Sequence, residues 1–209
     1  MRLFDIPNEL RAAIFGLVLA LPQPIYIYQE LGATGVEAFI TKKPLRWLAL
    51  LATSKAVQDE AAAVLFGANH FHMMDAAGSQ SNVLLHFLDT IGPRNAARLK
   101  HIRISFPPAV TVTAGRRPVA ISNQGKITIS LLRTRCTSLT TLEVLLQRTT
   151  FNEIVPFTQA LIQEALLLAQ VEFASICCLN RIIAKLHWAV SLETAEFMKE
   201  LGWVVARSP

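Results

Sequence analysis

Apolar residues recur at helical spacing near the start of the chain. Pro7 suits the first turn of a helix because its missing N–H is not needed there, and Leu10, Ile14, Leu17 and Val18 follow on one face. Two prolines shortly afterwards end the helix. The pattern alone favours packing of this apolar face into the core.

A hairpin is predicted next. Residues 25–28 alternate isoleucine with tyrosine, residues 31–35 supply a glycine-containing turn, and residues 36–40 form a return strand. Pro44 is then expected to open a second helix that runs through Leu51.

A third helix and a strand follow in the pattern. Thr53 or Ser54 is predicted to cap the helix, and Gly67 to end it. Phe71 lies in a short alternating strand. A further helix begins near residue 80 and is expected to end at Gly92, which is followed by proline.

From about Lys100 onward the pattern alternates strand with helix, which predicts right-handed crossovers and a mostly parallel sheet. The predicted order is a strand at 102–106, a loop at 107–123, a helix at 127–135, a strand at 139–146, a helical region at 156–184 broken near 175, a strand at 186–190, a helix at 192–201 and a strand at 203–205.

Composition favours a folded domain, because 52% of the 209 residues are hydrophobic and only 17% are charged. No apolar run reaches the roughly 18 residues that a membrane span needs. Asp5 and Glu9 stand where a signal peptide needs positive charge, so we expect an intracellular protein, cytoplasmic or nuclear.

The net charge of +5 is unevenly distributed. Between Asp89 and Glu143 there are nine lysines and arginines and no acid, which favours a basic face and an acidic partner. A solvated scatter of charge is the alternative. Candidate polyanion-binding residues are Arg94, Arg98, Arg103, Arg116, Arg117, Arg133 and Arg135.

Catalytic or metal-binding motifs are not evident. His70 and His72 share a strand face, but only Asp75 is close enough in sequence to be a third ligand. Glu60 is expected to bond the backbone or Lys55. The three cysteines, at 136, 177 and 178, fit no zinc spacing and are expected to be buried thiols. We therefore expect no cofactor, no metal and no enzymatic activity.

Cys136 follows two arginines, at 133 and 135, which could lower the pKa of its thiol. No histidine lies near it in sequence, so the pattern does not make it a nucleophile.

Several motifs together resemble the F-box-like proteins of fungi. The start Ile6-Pro7-x-Glu9-Leu10, with Ile14 and Leu17, resembles an F-box helix. Further matches are Ser54-Lys55, Asn69-x-Phe71, Ile91-Gly92-Pro93 and Met198-Lys199-x-x-Gly202-Trp203, and residues 136–144 resemble one leucine-rich-repeat strand. About twenty residues separate the first two helices, unlike a standard F-box.

The resemblance implies an α+β protein in which an F-box-like helical part with a hairpin insertion, residues 1–75, packs as one body with a leucine-rich-repeat-like α/β part, residues 76–209. It implies a protein-interaction module that acts as a substrate adaptor of a cullin-type ubiquitin ligase. Contact with the Skp-type linker would use Ile6, Pro7, Leu10 and Ile14. The alternative function is binding of nucleic acid or another polyanion through residues 94–135.

Overall fold

A computed structural model describes the chain at residues 3–30, 32–42, 47–74, 79–111, 119–147, 150–151, 158–187 and 190–207. Helices in these ranges are α1 Asn8–Leu19, α2 Lys55–Ala68, α3 Gln80–Ala96, α4 Asn123–Arg135, α5 Gln159–Ala174 and α6 Leu192–Glu200. Strands are β1 Ile25–Tyr28, β2 Glu37–Phe39, β3 His70–Met73, β4 His101–Ser105, β5 Ala109–Thr111, β6 Val119–Ile121, β7 Thr141–Leu146, β8 Arg181–Leu186 and β9 Val204–Arg207.

Seven strands form one sheet in the order β2-β1-β3-β4-β7-β8-β9. Every pair is parallel except β1 with β2, which is the predicted hairpin. The expected α+β class with a mostly parallel sheet is therefore confirmed. The parallel part also begins earlier than predicted, because β1 and β3 join it.

Parallel neighbours in this sheet follow one another along the chain. With the right-handed crossovers that are usual between parallel strands, the connecting helices are expected on one face of the sheet. Ile102, Ile104, Leu142 and Val144 occupy alternate positions on neighbouring strands, so they share one face of the sheet, and all four are fully buried. One continuous cluster of buried residues runs from α1 to β9.

The two predicted parts of the chain meet inside this sheet, since β3 pairs with β4 through His70–His101 and Phe71–Ile102. The junction at 75–78 lies outside the described residues. The proposed division at residue 75 stays a prediction.

Helix ends follow the sequence signals closely. The side chain of Ser54 accepts a hydrogen bond from the N–H of Val57 and so caps α2. The path of α3 breaks at Gly92, whose φ of 76° suits glycine, and Pro93 follows. The predicted end of that helix is thus confirmed as a break, after which a short helical turn continues to Ala96.

The sequence misplaced three elements. The predicted 107–123 loop holds two antiparallel strands, β5 and β6, with Ala109 and Val119 buried. Residues 181–186 form β8, so the helix predicted to run through 184 is wrong there. The strand predicted at 186–190 begins earlier and shares only Leu186 with β8, and its residues 188–189 lie outside the described residues. The helix expected from Pro44 lies partly outside the described residues, and the described part is a 3-10 turn at Ala49–Ala52.

Within the described ranges, no helix combines the length and the apolar composition that crossing a membrane requires.

Candidate functional site

The N-terminal end of α1 is fixed by Arg11, which is only 6% exposed. Its Nε donates to Oε2 of Glu60 at 2.7 Å, and its Nη2 donates to Oε1 at 2.6 Å. Its Nη1 donates to the carbonyl oxygen of Ile6 at 2.5 Å, and Asn8 Oδ1 accepts a further bond. The guanidinium also lies 5.1 Å from the ring centroid of Phe4. One side chain therefore connects the chain before α1, α1 itself and α2.

Sequence reasoning missed this ion pair and assigned Glu60 to Lys55 or the backbone, which is wrong. The hydrogen bond from Arg11 lowers the pKa of the Glu60 carboxyl, so the pair is charged at neutral pH. Forty-nine positions separate the partners. The sequence did contain a signal for this pair: a charged residue, Arg11, among the apolar residues of one helix, and an acid, Glu60, in another.

The C-terminal end of α1 is fixed by Asn69, which is 1% exposed. Its Nδ2 donates to the carbonyl oxygens of Leu19 and Leu65, both at 2.8 Å. Its Oδ1 accepts the N–H of Leu21 at 2.7 Å. Asn69 thus satisfies backbone groups that the ends of two helices leave without partners.

Arg11, near the start of α1, bonds Glu60 within α2, and Leu19, at the end of α1, is bonded by Asn69 just after α2. The two helices therefore run in the same direction. Phe15 and Leu19, which are 1% and 0% exposed, fill the space between. The side of α1 that packs on the protein is therefore defined by Arg11, Phe15 and Leu19.

An apolar stripe faces away from the protein on α1. It consists of Leu10, Ile14, Leu17 and Val18, which are 57%, 42%, 88% and 40% exposed. At 3.6 residues per turn these positions span about 100° of the helix surface. The interpretation that Leu10, Ile14 and Leu17 pack into the core is therefore wrong.

The other two residues predicted to contact the linker lie beside the stripe. Pro7 is exposed and occupies the N-cap position of α1, and Ile6 is half-buried. The four predicted residues Ile6, Pro7, Leu10 and Ile14 thus lie at one end of α1, and Leu17 and Val18 extend the apolar surface beyond them.

The predicted polyanion-binding arginines are mostly paired with acids from elsewhere in the chain. Asp59 on α2 accepts bonds from Arg94 and Arg98, both at 2.8 Å. Arg135 pairs with Asp89 on α3. These pairs bridge neighbouring helices and reduce the positive charge available to a ligand.

Of the remaining candidates that the structure describes, only Arg133 lies near that helical group. Arg103 lies on the sheet and is bound to Glu143, whereas Arg133 is exposed at the end of α4. Arg116 and Arg117 lie outside the described residues. Among those described, the arginines divide between the helices and the sheet.

A polar row crosses the sheet face opposite the buried residues Ile102 and Val144. Strand register places Tyr26 beside His72, His72 beside Arg103, and Arg103 beside Glu143. The rings of Tyr26 and His72 meet edge to face, with centroids 5.3 Å apart. Two nitrogens of Arg103 contact the same oxygen of Glu143, Oε2: Nε at 2.7 Å and Nη2 at 2.6 Å.

Two further histidines join this row. His70 and His101 stack with centroids 3.8 Å apart. His101 Nε2 lies 3.1 Å from Glu143 Oε1, without meeting the geometry of a hydrogen bond. His72 Nδ1 is buried without a partner. In the described part of the chain, no three His, Cys, Asp or Glu side chains are placed to hold a metal ion.

Burial lowers the pKa of His72 to about 3, and the charge of Arg103 adds to the effect. Burial by itself would raise the pKa of Glu143, but its contacts with His101 and then Arg103 outweigh burial and lower that pKa to about 2. His72 is therefore neutral and Glu143 ionised across the physiological range.

Folding stability should consequently fall in acid. The unfolded chain takes up protons at His72 near pH 6.5 and the folded chain only near 3, so this contribution is complete above pH 6.5 and is lost as the pH falls toward 3. The loss amounts to at most about 1.4 kcal/mol per pH unit for this group. Urea unfolding between pH 7.5 and 4.5 should show a shallower decline in His72→Leu. An unchanged decline would contradict the assignment.

The cysteines are not alike. Cys136 is buried, and burial raises the pKa of its thiol to about 12. The charge of Arg135 acts in the opposite direction, as the sequence suggested, but is outweighed by burial. Cys177 and Cys178 are exposed, which overturns the expectation that all three thiols are buried.

Comparison with known proteins adds no relative. No protein-family model, no curated protein and no solved structure matches the chain.

Proposed function

We propose that α1 is a docking helix for a protein partner and that the chain is a non-enzymatic interaction module. The observation that carries this proposal is an exposed apolar stripe on a helix whose buried side is anchored to the protein. The stripe consists of Leu10, Ile14, Leu17 and Val18. Exposed apolar area is unfavourable in water at about 25 cal/mol per Å², so a contiguous stripe favours a partner that covers it.

The anchoring of α1 supports the same proposal. Arg11 and Asn69 fix both ends of the helix through its buried side, about a third of a turn from the stripe, so the stripe is not needed to hold the helix in place. A rigid helix loses little conformational freedom on binding, and less of the binding free energy is offset by ordering.

The partner we propose is the Skp-type linker of a cullin-type ubiquitin ligase, and it comes from the resemblance of the N-terminus to an F-box. Pro7, Leu10 and Ile14 are exposed, as such contacts require. The inserted hairpin lies in the sheet beside β3, and the stripe remains exposed, with Leu17 at 88%. The leucine-rich-repeat-like part would then present the ligase substrate.

The alternative function of polyanion binding has less support. Arg94, Arg98, Arg103 and Arg135 are each paired with a carboxylate, and a ligand would have to compete with those pairs.

Capture of the purified linker tests the proposed function. We expect the intact chain to retain the linker, and the double variant Leu10→Ser, Leu17→Ser to lose it while its melting temperature stays close to the wild-type value. The matched control is Leu192→Ser on α6, where the leucine is 74% exposed but far from α1 in sequence.

Two results would overturn the linker assignment. One is an intact chain that captures no linker, and the other is a double variant that captures it as well as Leu192→Ser does. A double variant that unfolds would instead show that the stripe stabilises the free protein, which contradicts a docking role.

A further inference from the structure

Adjacent thiols lie in the turn between α5 and β8. Cys177 and Cys178 are both exposed, and their Sγ atoms are 3.7 Å apart. The carbonyl oxygen of Thr137, in the turn between α4 and β7, lies 4.0 Å from Cys177 Sγ. Two exposed sulfurs that point the same way can bind one reagent together.

The separation of the two sulfurs favours a bridging atom over a direct bond. A disulfide needs them about 2.05 Å apart, which would require closure of a small ring around the peptide bond that joins the two residues. Two sulfurs bound at about 2.3 Å to one pyramidal centre, with an angle of roughly 95° between the bonds, lie about 3.4 Å apart, which is within a few tenths of an ångström of the 3.7 Å observed. Little movement would be needed to chelate a soft centre.

We propose that Cys177 and Cys178 form a bidentate binding site for trivalent arsenicals. Zinc prefers four protein or water ligands, and the described residues offer no group of three metal-binding side chains. An organic arsenical needs only two sulfurs, because its third bond is to its own carbon substituent.

The chemistry balances without an oxidant. Two S–H bonds of the protein and the arsenic–oxygen bond of an arsine oxide are broken, and two arsenic–sulfur bonds are formed. The oxygen takes both thiol protons and leaves as water. Arsenic stays trivalent, and both sulfurs keep their oxidation state.

The electrostatics of the pair suit this reagent. The hydrogen bond shared with Cys177, and then the charge of Cys177, raises the pKa of Cys178, so the Cys178 thiol keeps its proton at neutral pH. Alkylating reagents require a thiolate and would react slowly with the second thiol. Cys136 is 1% exposed and serves as an internal control.

Phenylarsine oxide, added to the reduced full chain and followed by intact mass, tests the site. We expect one adduct with loss of water, which is reversed by a dithiol but persists in a monothiol. Cys177→Ser and Cys178→Ser should each release the arsenical at least about 100-fold faster, as expected when two linked contacts become one. Cys136→Ala should match the wild type.

The proposal fails if either serine variant holds the arsenical as long as the wild type does. It also fails if the wild type releases the arsenical to a monothiol as fast as the serine variants, or if Cys136→Ala loses the adduct. Equal melting temperatures of the wild type and the serine variants ensure that the comparison reports the turn and not unfolding.

Discussion

Replacing Asn69 by alanine should lower the free energy of unfolding by about 3 kcal/mol. The change leaves the carbonyls of Leu19 and Leu65 and the N–H of Leu21 without their side-chain partner, in a place where Asn69 is 1% exposed. A buried polar group without a hydrogen bond costs about 1–3 kcal/mol, and partial rearrangement keeps the sum below three full penalties.

Asn69→Asp should be more damaging at neutral pH than Asn69→Ala. The carboxylate would replace the donor that now serves two carbonyl oxygens, so three acceptors would face one another. Protonation restores one donor, so the variant should recover stability, relative to Asn69→Ala, as the pH falls from 7 to 4. Urea unfolding at both pH values measures this.

Asn95 provides the control for that experiment. Its Nδ2 donates to the backbone carbonyl of Ile91 in its own helix at 2.9 Å, and its Oδ1 accepts a bond from the Arg98 side chain at 3.0 Å, so it bonds one backbone group where Asn69 bonds three. Asn95→Ala should cost no more than about 1 kcal/mol. If Asn69→Ala costs no more than Asn95→Ala, Asn69 does not connect α1 to α2 in the way described.

The sheet was largely predictable, because strands that alternate or carry apolar runs were visible in the sequence. The hairpin of β1 and β2 came from alternating isoleucine and tyrosine followed by glycines. The failure at β8 has a physical cause, since Ile182, Ile183 and Ala184 are all buried and give a continuous apolar run. A strand buried on both sides has no period of two and is easily assigned to a helix.

The orientation of α1 could not be predicted by periodicity. Leu10, Ile14 and Leu17 form one apolar stripe, and Phe15 with Leu19 forms another about a third of a turn away. Either stripe could face the core. The ion pair between Arg11 and Glu60 on α2 determines which stripe is buried. Its partners are 49 positions apart, so no local sequence pattern reveals it.

Charge was misleading for the same reason. The acid-free stretch looks strongly basic in sequence, but the acids that bound it, Asp89 and Glu143, fold back onto Arg135 and Arg103. Pairing across elements removes much of the net charge that the count predicts. Local sequence reasoning finds charge reliably and finds its partners poorly.

The adjacency of Cys177 and Cys178 was visible in sequence, but their exposure was not, because cysteine is among the most buried residue types. The candidate contact residues on α1 were found only because their motif resembles an F-box. Residues that act through exposure are the hardest to predict, since composition places the same side chains in the core.

Leucines 17 and 19 should respond very differently to the same substitution. Leu19 is 0% exposed, so Leu19→Ala should lower the free energy of unfolding by about 2–5 kcal/mol through lost contacts and the cavity left behind. Leu17 is 88% exposed, so Leu17→Ala should change it by no more than about 0.5 kcal/mol. Urea unfolding of both variants measures the difference.

The pair is well matched, because both changes replace leucine by alanine in the same helix and the intrinsic helix preference of the two residues cancels. Any difference in unfolding free energy therefore reports which side of α1 packs on the protein. In linker capture, Leu17→Ala should weaken binding in a chain of normal stability. If Leu17→Ala costs as much stability as Leu19→Ala, the stripe is covered by the chain itself, and α1 is a structural helix without a docking face.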